Sequence, residues 1–257
     1  MRIPHRALRG LPLTLLLAAG PAGAGEFLDV RDENPLLRGL YLPMPVQARA
    51  ADGASLDAAL AIANTINVEA RGGEHLFVDG EALVIRLGYE APLAPRWRLR
   101  LNLPLIRDSG GALDRLIDRW HGWFGLPRGD RPNHPRNQLD YAYLDRSGTP
   151  GPRLAQSHSG IGDAAAELGW YAIDTPAHTL SVWAGVEAPT GSAGQLSGDG
   201  AWDAALWLQT GWRGRRWDLG GEAGLLRRAD LDNEPETSAP APTAGERLRK
   251  EMRLPGV

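Results

Sequence analysis

The chain has 257 residues and no Cys, which excludes a disulfide framework, a thiolate metal site and a thiol nucleophile. Lys and Arg number 28 against 31 Asp and Glu, a formal net charge of −3, so the chain lacks the basic excess of a nucleic-acid binder. Nine Trp against three Phe is a skewed aromatic usage, and indole suits a membrane–water interface because its ring is apolar while its N–H needs a polar partner.

The chain opens with an export pattern. Arg2, His5, Arg6 and Arg9 make a basic start, Leu11 to Ala19 is an apolar run interrupted by Pro12 and Thr14, and Ala22-Gly23-Ala24 supplies small residues for cleavage. The run is well short of the roughly 20 apolar residues a spanning helix needs. Residues 1–24 are therefore expected to be a signal peptide removed near Ala24, and residues 25–54 an N-terminal periplasmic segment. The remainder is long enough for one large β domain or two smaller ones.

Seven segments alternate with the period of two that a strand requires. Ser55 to Val68 sets Leu56, Ala58, Leu60, Ile62, Ile66 and Val68 against Asp57, Thr65 and Asn67, with Asn64 a defect on the apolar side. Glu81 to Glu90 sets Leu83, Ile85, Leu87 and Tyr89 against Arg86, Gly88 and Glu90. The clearest is Arg96 to Leu105, where Trp97, Leu99, Leu101, Leu103 and Leu105 oppose Arg96, Arg98, Arg100 and Asn102. Asp163 to Ile173 is Ala-rich, with Leu168 and Trp170 opposite Asp163, Glu167 and Gly169. Thr179 to Ala188 opposes Leu180, Val182, Ala184 and Val186 to Ser181, Gly185 and Glu187. Asp203 to Trp212 opposes Ala204, Leu206, Leu208 and Trp212 to Asp203, Gln209 and Gly211, and Trp217 to Leu226 opposes Trp217, Leu219, Ala223 and Leu225 to Asp218 and Glu222. Each is about ten residues, the length of a tilted strand that crosses a bilayer.

Connection lengths fit the same reading, because bacterial barrels pair short periplasmic turns with longer external loops. From a periplasmic start the second, fourth and sixth connections should be short, and Ala91 to Pro95, Asp174 to His178 and Arg213 to Arg216 are. The others, Glu69 to Gly80, Arg107 to Gly162 and Pro189 to Trp202, are expected to be the longer loops. Within residues 107–162, Gly111 to Phe124 carries Leu113, Leu116, Ile117, Trp120 and Phe124 at helical spacing with Asp114, Arg115, Asp118 and Arg119 opposite, an amphipathic helix for the membrane surface or the barrel mouth. Gly125 to Pro152 reads as irregular loop. Residues 227–257 lose the alternation and read as an irregular tail; with an odd strand count, the expectation is a barrel truncated or frame-shifted at its C-terminal end.

Several strings carry a family likeness: Asn34-Pro35-Leu36-Leu37-Arg38-Gly39-Leu40-Tyr41-Leu42-Pro43, Val78-Asp79-Gly80-Glu81, Gly110-Gly111 to Trp120-His121 with Phe124-Gly125-Leu126-Pro127, Gly160-Ile161-Gly162-Asp163 and Ala188-Pro189-Thr190-Gly191. Over about 34–234 the chain resembles a family of uncharacterised Gram-negative outer-membrane proteins known only as a domain of unknown function. The Gly-x-Gly-Asp and Pro-Thr-Gly strings recur in other barrels, including some that look like transporters of hydrophobic compounds. The resemblance implies no activity and no catalytic residues, and implies further strands beyond about Pro235.

The fold expected is thus an all-β, antiparallel transmembrane barrel in a Gram-negative outer membrane, with a helix in one long external loop. Its lumen should be lined by Arg86, Arg98, Arg100, Asn102, Glu167, Glu187, Gln209 and Glu222, and its mouth covered by Trp120, His121, Trp123 and Phe124 of the loop helix. Such inward charges either border an aqueous path or pair across a filled interior. The leading function is passive passage or binding of a small molecule, hydrophobic ones included. A plugged structural or interaction barrel is the alternative, and a lipid-modifying enzyme a further one. Ser157, His158, Ser159 and Asp163 are near one another in sequence, but adjacent residues of an extended chain face opposite ways, so no nucleophile–base pair is evident. Asp130, His134, Asp140 and Asp145 match no compact metal motif. No catalytic residue, cofactor or metal is expected; the partners are outer-membrane lipid and a small ligand, with no nucleic acid, and oligomeric state is not encoded in any pattern found.

Overall fold

The computed structural model describes residues 13–16, 31–39, 41, 53–129, 131–215 and 218–228. The expected cleavage site, most of residues 25–54, Asp130, Trp217 and the tail beyond 228 lie outside these described residues. The elements are β1 (Leu13–Leu16), β2 (Ser55–Arg71), β3 (Glu74–Ala94), β4 (Trp97–Ser109), α1 (Asp114–Phe124), β5 (Asp140–Leu144), β6 (Pro150–Leu154), β7 (His158–Ile161), β8 (Ala164–Asp174), β9 (His178–Ala188), β10 (Asp203–Arg213) and β11 (Asp218–Arg228). All strands join one antiparallel sheet that curls into a half-barrel. β1, inside the segment read as an export signal, pairs with β2 from Leu13↔Asn64 to Leu16↔Ala61.

The wall of the curl runs β2-β3-β4-β8-β9-β10-β11, the seven expected segments in chain order. β7 and β8 follow one another along β4, at Leu105↔Ile161 and then Asn102↔Ala165. They act as one strand interrupted at Gly162, whose N–H donates to Pro104 O at 2.7 Å. Cross-strand partners share a face, so the register passes each strand's apolar set to the same side. Leu60, Leu87, Leu101, Leu168, Val182, Leu206, Leu208 and Leu225 are all exposed there, a continuous apolar outer belt. At the end carrying the short turns the belt finishes in indoles: Trp97 stands opposite Trp170, and Trp212 stacks on His178 with ring centroids 4.7 Å apart.

Two connections differ from expectation. Glu69 to Gly80 is not a long loop: β2 and β3 continue as a ribbon and reverse at Gly72-Gly73, whose φ of 60° and 93° are the left-handed values a two-residue hairpin turn needs. Beyond the belt the ribbon buries its inner side instead, where Leu76 and Val78 meet β5, so alternation on the outer face was no guide to its length. Residues 125–152 are not wholly irregular either, because β5 pairs with β3 and β6 with β5. Tyr141 and Tyr143 of β5 pack with Val78, Leu139 and Leu196 into a buried cluster at the rim. A five-residue strand among Pro, Gly and Asn is too short to announce itself by period. No helix among the described residues is long and apolar enough to cross a membrane, which says nothing of crossing by strands.

The concave side holds two more clusters, Ala61, Ala82, Val84 and Ile106 near one wall and Tyr41, Tyr171, Trp183, Ala205 and Trp207 near the other. Room for these rings comes from glycine: a Cβ at Gly169 would lie 2.4 Å from the Trp183 indole, and one at Gly185 would lie 2.1 Å from Tyr41 Oη.

Candidate functional site

The concave surface is assembled by strand parity. Arg86, Arg98, Arg100, Asn102, Glu167, Glu187, Gln209 and Glu222 all occupy inward positions, since each pairs in register with another inward residue: Arg86 with Ala59 and Pro104, Arg100 with Glu90 and Glu167, Gln209 with Ser181 and Glu222. They do not form one cluster.

At the centre stands Arg100, 1% exposed. Its Nε donates to Glu90 Oε2 at 2.7 Å, its Nη1 lies 4.0 Å from Glu167 Oε2 and 3.5 Å from Gln209 Oε1, and its guanidinium carbon sits 3.7 Å above the Trp183 ring. Gln209 Nε2 in turn donates to Glu222 Oε2 at 3.2 Å. Buried charges survive only when paired or solvated, and here two carboxylates flank the cation while an indole covers its face. The sheet alone does not complete the pairing. Arg86 is matched by Glu33, and Tyr41 Oη donates to Glu167 Oε1 at 3.2 Å, so residues of the N-terminal segment reach into the curl.

The segment's third anchor is Arg38, whose Nη1 donates to Asp108 Oδ1 at 2.8 Å, whose Nη2 also reaches Asp108, and whose Nε donates to Leu196 O at 3.1 Å. Asp108 lies past Leu105, the last apolar outer residue of β4, and therefore at the rim. His158 Nε2 comes within 3.1 Å of Asp108 Oδ2, while its Nδ1 lies 3.2 Å from Gln156 O. Contact with the Asp108 carboxylate outweighs burial and raises the His158 pKa above its ordinary value. Burial alone would raise Asp108, but the His158 contact and the Arg38 charge outweigh it and hold the carboxyl below its ordinary value.

Sequence reasoning marked Asn34 to Pro43 as a family string in an N-terminal periplasmic segment but did not place it inside the curl, because Glu33, Arg38 and Tyr41 belong to no periodic element. One signal was available: Trp183 and Trp207 fall at inward parity, and indoles on a polar face imply that something packs over them. Between strap and wall remains a cavity of about 170 Å³, bordered among others by Arg86, Asn102, Glu167 and Glu187. Arg98 and Glu222 are not among its lining residues.

Trp120, His121, Trp123 and Phe124 stand on α1 and do not line this cavity. The helix begins against the outer face: Glu81 Oε2 accepts the Ala112 and Leu113 amides at 3.1 and 3.0 Å, and Asp114 Oδ1 accepts from Asn64 at 2.8 Å. Asn64, the defect in its apolar stripe, is thus the helix's docking point. His121 Nδ1 lies 2.9 Å from Pro127 O, folding the chain back after Gly125, and Trp120 packs on Phe124 at 4.4 Å.

Several of the residues weighed for catalysis and metal binding have other work. Asp163 accepts the amides of Gly191 and Asp199 at 2.8 and 2.7 Å, ordering the β9–β10 loop. Asp140 pairs with Arg153, Asp145 accepts from Ser147 and Thr149, and His134 lies against Phe77. Among the described residues no group of three His, Cys, Asp or Glu is placed to hold a metal.

A family model described as "Protein of unknown function (DUF3187)" matches residues 24–237. The chain belongs to that family. No curated protein and no solved structure matches it. The match takes in the strap, the wall and the helix-bearing loop, so the architecture above is that of the DUF3187 region as a unit.

Proposed function

We propose that this chain forms the wall of a Gram-negative outer-membrane β-barrel whose interior is closed by its own N-terminal strap, a plugged barrel with a structural or interaction role. The export pattern of the leader, the exposed apolar belt and the indoles at one of its ends support the membrane setting. The observation that carries the plug is the anchoring of Glu33, Arg38 and Tyr41 to Arg86, Asp108 and Glu167, contacts spread from the rim to the middle of the concave face. A conducting lumen would keep such charges hydrated rather than joined to a separate strand of chain.

A second reading, passage or binding of a small molecule, draws on the cavity between strap and wall. At about 170 Å³ it is below the roughly 300 Å³ of an ordinary small-molecule site, so on this reading the strap moves aside to admit a ligand.

Planar-bilayer conductance of the refolded protein, with heat-modifiable gel migration as the fold control, separates these. The plug predicts a folded, silent wild type and intermittent steps from Glu33→Gln/Arg38→Gln, which releases two of the three anchors. Stable ohmic steps from the wild type overturn the plug, and absence of heat-modifiable, membrane-inserted protein overturns the barrel.

A further inference from the structure

α1 is fastened outside the curl by a buried ionic knot. Asp114 accepts from Asn64 at 2.8 Å and from the Asn137 amide at 2.6 Å and pairs with Arg131, which also reaches Asp79 at 2.8 Å. Asn64 and Asp79 both occupy outer-face positions of the β2–β3 pair. Swinging the helix into the lumen would break this knot and leave its charges buried without partners. The helix therefore stays beside the wall at the end of the sheet opposite the short turns.

Its two sides differ in chemistry. Leu116, Trp120, Trp123 and Phe124 are exposed, Trp123 at 72%, and among the described residues no other element covers them. Around the other side Arg115 and Arg119 of the helix, with Arg128 and Arg136 of the returning loop, border a cleft of about 560 Å³. Asp118 is the one acid among its lining residues, and it is already engaged by Arg136 at 2.7 Å. Arg115, Arg119 and Arg128 have no carboxylate partner among the described residues. Three exposed like charges around one cleft give it a positive potential that attracts an anion, and guanidinium groups match the oxygens of a phosphate in shape as well as charge. Trp123 belongs to both the exposed apolar side and the cleft, so a group held by the arginines has an indole at its edge.

We propose that α1 is an interfacial helix that docks on the membrane beside the barrel, with the cleft of Arg115, Arg119 and Arg128 holding the phosphate of anionic lipid headgroups. The proposal rests on the membrane reading above and adds the partner: a lipid surface selected by phosphate charge, with Trp120, Trp123 and Phe124 seated at the headgroup level. The outer belt accounts for insertion, whereas this cleft accounts for which lipid lies against the β2–β3 side.

The test is refolding of the full chain into nanodiscs of equimolar phosphatidylglycerol and phosphatidylcholine, followed by native mass spectrometry of the lipids retained on the released protein. Each cleft arginine should favour the anionic lipid by about five-fold. The wild type is expected to retain phosphatidylglycerol preferentially, Arg115→Gln/Arg119→Gln/Arg128→Gln to retain both lipids about equally, and Arg146→Gln, at a cation of the β5–β6 turn paired with Glu74, to behave as wild type. Raised salt on the wild type should erode the preference, a readout that needs no variant. Insertion with no lipid preference, or a preference that survives the triple substitution, overturns the headgroup site while leaving the barrel standing. Failure of the wild type to insert into the mixed bilayer overturns the membrane reading and this proposal with it.

Discussion

Replacing Arg100 by Leu is a direct trial of the filled interior. A surface or water-filled position would tolerate the change, and a cation on the polar side of a strand is, from sequence, expected to cost less than a charge placed on the lipid side. The structure makes the two costs comparable. Arg100 is 1% exposed, 2.7 Å from Glu90 and 4.0 Å from Glu167, and both acids are themselves buried. Removing the cation leaves the buried Glu90 carboxylate without its counter-charge, a loss of about 3 to 5 kcal/mol for a buried pair broken on one side. The contact with the Trp183 face is lost as well. Urea unfolding of the refolded protein in vesicles, followed by Trp fluorescence and heat-modifiable migration, measures it. Arg100→Leu/Glu90→Gln should recover part of the loss, because one stranded charge is neutralised. A single variant within about 0.5 kcal/mol of wild type, the range of an ordinary exposed position, would refute a desolvated interior and with it the plug argument.

Two further outcomes are expected. Leu101→Arg, one residue along and facing out, should destabilise the inserted state by about 2 to 4 kcal/mol in the same assay, as for a cation near the middle of the lipid face, and a neutral result would show that the belt does not meet lipid. The rim cluster of Asp108, Arg38 and His158 should set the pH response. The contribution of His158 is complete below its ordinary pKa of about 6.5 and is lost as pH rises through its raised folded value, while that of Asp108 is complete above about 3.9 and is lost as pH falls through its lowered one. His158→Gln should therefore flatten the alkaline side of a plot of urea midpoint against pH, and an unchanged alkaline slope would show that His158 carries no such linkage.

The amino-acid sequence by itself determined the wall. Period-two alternation is a local property, so the strands from Ser55 to Leu226 and the inward facing of Arg86, Arg100, Glu167 and Gln209 followed from residue order. The 3.6-residue spacing of Leu113, Leu116, Trp120 and Phe124 announced α1 for the same reason. Only the tertiary structure decided what fills the curl and where the helix sits. The strap from Arg31 to Tyr41 has no period, and its anchors join residues 53 to 158 positions apart, as in Glu33 with Arg86 and Arg38 with Leu196. The docking of α1 on the outside turns on Asn64, which in sequence is a blemish in an apolar stripe and in space is the hydrogen-bond donor that Asp114 needs. Periodicity reports which way a side chain points, whereas pairing of buried charges depends on which distant segment arrives opposite, and that is settled by the desolvation cost of leaving any of them alone.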